Sequence, residues 1–145
     1  MSNYRQPTGD DYPDASRKHV EDSKKLLDAN RYDGAGYLAG YAVECILKTI
    51  VLVEGSQPSQ NHRLNDLSRA ALRLLSSPSC RTAKYISNRA ITTLLYGNNP
   101  NEWKETIRYN SEGRVSEATA RGWVQEAQRL YMEVINQMIL DGVII

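Results

Sequence analysis

At 145 residues the chain is long enough for one compact domain with its own core, without help from disulfides or metal. Its 18 Lys and Arg balance 17 Asp and Glu, which excludes a protein-wide charged surface for nucleic acid, anionic membrane or an acidic substrate; any basic surface must be local. Two cysteines, Cys45 inside an apolar pattern and Cys80 close to Pro78, form no CxxC pair, which argues against a zinc knuckle or a disulfide framework and suits a reducing cytoplasm. The amino end MSNYRQPTGDDYPD is polar and lacks an apolar h-region, and no later run approaches the roughly 18 uninterrupted apolar residues of a membrane span. The expectation is a cytoplasmic protein without a membrane partner, with residues 1–12 as a flexible tail and 13–145 as a single domain.

Helical spacing dominates and no run of strict alternation bounded by turns is found, so the fold class is all-α. The first helix is predicted from Pro13 or Asp14 to about Asn30, with Ala15, His19, Ser23, Leu26, Leu27 and Asn30 facing inward. Asp33 is the expected cap of a second helix reaching Glu54, where Gly55 takes the left-handed position that ends helices. Its apolar residues, from Ala35 through Leu38, Val43, Ile46 and Ile50 to Val53, cover more than one face and imply several neighbours. A third helix is expected over His62–Ser76 on Leu64, Leu67, Ala71, Leu74 and Leu75, stopped by Pro78. A fourth, Ser79–Tyr96, would turn Ala83, Ile86, Ala90, Ile91 and Leu94 inward. The polar connection between Gly97 and Val115 is long for a small domain, so it either carries a short helix near Trp103 or is functional. The last helix runs from Ser116 to about Asp141 with a stripe from Ala120, Trp123 and Val124 to Ile135 and Met138. Five helices with short links predict an antiparallel up-and-down bundle.

The stretch RYDGAGYLAGYAVECILK, Arg31 to Lys48, carries two helix-interior glycines, each costing on the order of 1 kcal/mol against alanine. Gly36, Ala39, Gly40 and Val43 recur at spacings of three and four, so this side lacks bulk and invites the close approach of another helix. A second row, Tyr37, Tyr41, Glu44 and Lys48, stacks hydroxyl, carboxylate and ammonium groups along one edge. Two readings stand: a structural network in which Glu44 pairs with Lys48 and accepts a bond from Tyr41 or another helix, or a cleft wall in which Glu44 acts as base or orients a ligand.

HVEDSKKLL, RYDGAGYLAGYAVECILK, NHRLNDL and an IRY ahead of a long terminal helix together resemble the prokaryotic HEPN domains, from about His19 to Met138. The resemblance implies a four- or five-helix bundle, often homodimeric, related to the helical domain that accompanies kanamycin-type nucleotidyltransferases. It also implies a small nucleotidyltransferase as partner, in some pairs as toxin and antitoxin. The family's ribonucleases carry an Arg followed about four to six residues later by a His, late in the chain. This sequence departs from that pattern: its histidines are His19 and His62, Arg17 lies two residues before the first, and no Arg precedes the second within that distance. Metal-independent RNA cleavage needs a proton acceptor and a phosphate-binding cation together, so the usual mechanism has no support in the terminal helix.

His62 reads as a capping or loop-packing residue, with a displaced catalytic role beside Arg63 as the alternative, and His19 as a hydrogen-bonded interior or interface histidine. No HxxxH, HExxH or carboxylate cluster indicates a metal, and GAGYLAG follows helix rather than strand, which removes a dinucleotide loop; no cofactor is expected. Trp103, Arg108 and Tyr109 either anchor the long connection or stack on a base. The leading expectation is a non-ribonuclease binding partner of a nucleotidyltransferase, homodimeric, with Tyr37, Tyr41, Glu44, Lys48, His62, Arg108 and Tyr109 around a cleft open to a nucleotide or RNA. The alternative is an RNA-cleaving toxin that uses His62. The position of His62 relative to Arg63 and Arg108 separates the two.

Overall fold

The computed structural model describes residues 1–86 and 102–145. Among them the fold is all-α: α1 (Tyr12–Asp28), α2 (Tyr32–Val53), α3 (Leu64–Leu75) and a terminal rod, α4, that starts as α-helix over Glu117–Leu130. The rod continues through a π-helical stretch, Tyr131–Asn136, into a last α-turn, Gln137–Leu140. Short 3-10 turns occupy Ala83–Tyr85 and Glu105–Tyr109.

Local chemistry fixes the ends of these helices. Asp11 caps α1 by accepting the Asp14 amide, and Pro13 sits in the first turn, where its missing N–H leaves no bond unmade. The helix stops where Asn30 turns left-handed at φ 60°, letting the Asn30 and Arg31 amides bond back to the Leu27 and Leu26 carbonyls. Asn30 therefore faces solvent as the end signal, and the buried stripe of α1 runs through Ser16, Val20 and Ser23. Gly55, at φ 80°, closes α2 in the same manner through Leu52 and Val51, as its sequence position predicts. Ser116 caps α4 by accepting the Thr119 amide.

α2 is the central element and packs against α1, α3 and α4. From Ala42 to Val53 every residue is buried, so this helix has no solvent face there. By length and mean hydropathy it could cross a bilayer, although Glu44 and Lys48 interrupt the run; 83% of its most apolar window lies inside the bundle. Ile46, Ile50, Leu67, Val124, Ile135 and Met138 fill the centre of the core. The terminal stripe holds as its spacing predicts, with Tyr131 half-buried where the π-helical turn begins. Nothing in the sequence accounts for that turn.

Three further expectations differ from the structure. Asp33 is not the cap of α2: the helix begins two residues earlier than that cap implies, at Tyr32 after Arg31, and the Asp33 carboxylate instead accepts the Gly113 and Val115 amides, each at 2.7 Å. α3 begins at Leu64, because the backbone at Arg63 is still extended and the His62 side chain is committed to Glu44. The predicted helix Ser79–Tyr96 is, as far as Ile86, a turn and one 3-10 segment that buries Thr82, Tyr85 and Ile86 and leaves Ala83 exposed. Ala90, Ile91 and Leu94 lie outside the described residues.

Glu54 supplies the reason the chain turns there. Its carboxylate accepts the Arg81 and Thr82 amides at 2.9 and 2.7 Å, and the Cys80 thiol at 3.4 Å. Burial opposes ionisation, but these donors win and hold Glu54 below its ordinary value of 4.5. A folded-state value below the unfolded one gives stability that is present above about pH 4.5 and lost as pH falls through the depressed value. Asp141, accepting from Tyr85 and Lys84, and Asp11, bonded by Ser2, are held low as well and add to the same acid limb. Melting temperatures measured from pH 6 down to about pH 3 are expected to fall, and Glu54→Gln is expected to flatten the fall.

Residues 1–11 run back over the carboxyl end: the Asn3 amide donates to the Ile145 carbonyl at 3.1 Å, and the Ile145 amide donates to the Asn3 side chain at 3.0 Å.

Candidate functional site

The glycines of α2 make room for two tryptophans. A Cβ on Gly36 would press against the Trp123 indole of α4 and a Val115 methyl, at 3.0 and 3.1 Å. A Cβ on Gly40 would fall inside the indole of Trp103, which comes from the connection before the second 3-10 turn. The expected close approach is thus filled by one helix-borne and one loop-borne ring. Trp103 is 4% exposed, so it anchors the connection as one of the sequence readings predicts.

Tyr41 stands at the centre of what Trp103 covers. Its ring meets Trp103 edge-on, centroids 5.3 Å apart at 89°, and lies 4.9 Å from Tyr37, 5.9 Å from His62 and 6.1 Å from His19. Burial, reinforced by the neighbouring Tyr37 hydroxyl, pushes the Tyr41 phenol well above its ordinary value, so it is a hydrogen-bonding group and not a base at neutral pH. His19 is pushed down, chiefly by burial, which leaves a neutral imidazole. Its Nδ1 and the Trp103 Nε1 are buried without a hydrogen-bond partner among the described residues.

One turn further along α2, Glu44 and Lys48 are 4% and 3% exposed and form an ion pair of 2.7 Å. Lys48 also lies 5.3 Å from the centroid of the Tyr12 ring. The second partner of Glu44 is neither Tyr41 nor a group on another helix. It is His62, from the loop before α3, whose Nδ1 sits 2.9 and 3.1 Å from the two carboxylate oxygens. In the tautomer that donates Nδ1–H to the carboxylate, Nε2 is left as an acceptor, and the side chain is 45% exposed. The arrangement is a sealed carboxylate–ammonium pair with a half-open imidazole as its lid.

The remaining predicted residues lie apart from this triad. Arg108 is exposed, with its guanidinium carbon 4.8 Å from the centroid of the Tyr109 ring, and Tyr109 is 75% exposed. The Tyr37 hydroxyl and that ring raise the Arg108 guanidinium further above its usual range. Tyr37 and Arg108 line a cavity of about 650 Å3 at the start of α2. Arg63 lines a separate cavity of about 340 Å3 with Arg69 and Lys104. His62 belongs to the lining of neither. No cluster of three or more metal-ligating side chains exists among the described residues.

Sequence reasoning missed two members of this region. Asp33 was read as a cap, and its clasp on Gly113 and Val115 joins residues eighty positions apart, beyond the reach of local pattern. Asp33→Ala is expected to cost about 2 kcal/mol, since two amide donors lose a charged acceptor, and to speed amide exchange at Gly113 and Val115. Tyr12, beneath Lys48, sits beside a proline in a segment with no distinguishing signal. The pairing of Gly40 with Trp103 had one available clue: a large aromatic in a polar connection opposite a helix that lacks side chains.

A helical bundle built on a glycine-bearing central helix with a buried Glu–Lys pair defines the class. The family model for the HEPN domain matches residues 11–137, and the chain belongs to the HEPN family. No curated protein and no solved structure matches it.

Proposed function

We propose that this protein is a HEPN-domain binding partner of a nucleotidyltransferase, acting as a homodimer and without ribonuclease activity of its own. One observation carries the reading: the cation that shares Glu44 with His62 is Lys48, and its ammonium is sealed in the core. RNA cleavage requires a cation at the scissile phosphate beside the proton acceptor, and a 3% exposed ammonium cannot meet a phosphate. The guanidiniums of Arg63 and Arg108 belong to two other cavities. Rings and hydroxyls from Tyr37, Tyr41 and His62 then serve recognition, fixed from behind by the ion pair. Met132, Ile139 and Leu140, exposed on the terminal rod, supply the apolar stripe on which a second copy would rest.

The second reading, a nuclease built on His62, draws on the open Nε2 and its carboxylate-oriented ring. The test of the first is co-expression with the nucleotidyltransferase encoded nearest in the same genome. Co-elution as one complex, weakened by Tyr41→Ala or His62→Ala, is the expected result; independent elution of both proteins at micromolar concentration overturns it.

A further inference from the structure

We propose that the cavity at the start of α2 is a binding site for a small organic anion, its oxyanion group held by Arg31 and Arg108 and its apolar body resting on Leu26, Ile107 and Val115. This goes beyond the accessory role and does not depend on it, because the site would fill whether or not a nucleotidyltransferase docks. The volume, about 650 Å3, is within the range of small-molecule sites.

The charges of the wall decide the ligand class. Two carboxylates, Asp33 and Glu112, face two guanidiniums, yet they are not equivalent. Asp33 is taken up by the Gly113 and Val115 amides at 2.7 Å and needs no cation. Glu112 makes the other pairing, to Arg31 at 3.7 Å, with the two side chains 86% and 68% exposed. That distance is too long for a hydrogen bond, and an ion pair this open to solvent contributes little and exchanges readily. Arg108 has the Tyr37 hydroxyl and the Tyr109 ring as neighbours and no carboxylate among its described contacts. The first turn of α2 adds amide groups that no side chain caps, which favours the same sign of ligand without creating the site. Glu112 therefore acts as a stand-in for the absent oxyanion, carried on a loop that Asp33 pins at the cavity mouth.

The experiment is titration calorimetry of the full chain with benzoate, phenyl phosphate, inorganic phosphate and benzyl alcohol. Benzoate or phenyl phosphate should bind, and which of them binds more tightly tells a carboxylate site from a phosphoryl site. Inorganic phosphate should bind more weakly for want of an apolar body, and the uncharged alcohol not at all. Arg31→Gln and Arg108→Gln should each weaken binding about tenfold or more, whereas Arg63→Gln, in the other cavity, should leave it unchanged. Glu112→Gln should tighten binding about threefold or more by removing the internal competitor. Arg31, Arg108 and Glu112 are exposed, so the variants should keep the wild-type melting temperature. No binding of either aromatic anion at millimolar concentration, equal binding by the arginine variants, or an unchanged affinity in Glu112→Gln overturns the proposal.

Discussion

Gly40→Ala is expected to destabilise the protein by about 2–3 kcal/mol, although alanine is the better helix former by about 1 kcal/mol. The added methyl occupies the space of the Trp103 ring, and a buried indole cannot step aside without pulling the connection off α2. Gly36→Ala is the matched contrast: its methyl stands at 3.0–3.2 Å from Trp123 and Val115, so small shifts suffice and the helix-propensity gain offsets them to within about 1 kcal/mol. Trp103→Ala alone is expected to cost about 3–5 kcal/mol, and the Gly40→Ala/Trp103→Ala double variant no more than that. Urea denaturation of the four variants measures all of these. Additive losses in the double variant would show that Gly40 and Trp103 do not meet.

Lys48→Met should cost more than Gly40→Ala, about 3–5 kcal/mol, because it leaves the Glu44 carboxylate 4% exposed with a half-open imidazole as its remaining partner. Glu44→Gln fails for the mirror reason: an ammonium stays buried against an amide that cannot balance it. Replacing both, as Glu44→Leu/Lys48→Met, removes the two desolvated charges together and should recover most of the loss. His62→Ala is expected to cost only about 1 kcal/mol, since the ring is nearly half-exposed and the ion pair beneath it survives. Denaturation curves of the four variants check the order. A double variant less stable than either single one would mean that the pair contributes more than it costs to bury.

What could be read from the sequence was what local spacing determines. Gly55 and Ser116 announce helix ends by their own backbone chemistry, and the stripe from Ala120 to Met138 needs only the helical period. Glu44 and Lys48, four apart, had to be neighbours if α2 was a helix. The burial that turns them into a sealed pair was not visible, because it depends on α1 and α3 closing over that face. Local pattern offers only a capping or loop-packing reading for His62, since its partner lies 18 residues back, and only a cap for Asp33, its partners lying 80 and 82 residues ahead. A capping residue and a long-range clasp look alike until the chain is folded. The cavity holding Arg31 and Arg108 also joins two distant segments, so Tyr37 and Arg108 enter the predicted cleft and Arg31 does not.

The central feature of the protein is an imidazole fixed to a buried ion pair whose ammonium is sealed away from any phosphate. Incubation of the purified chain with total RNA, alongside His62→Ala, tests this most directly. RNA that stays intact with both proteins is the predicted result. Cleavage by the wild-type chain that disappears in His62→Ala would contradict it and make His62 a catalytic base.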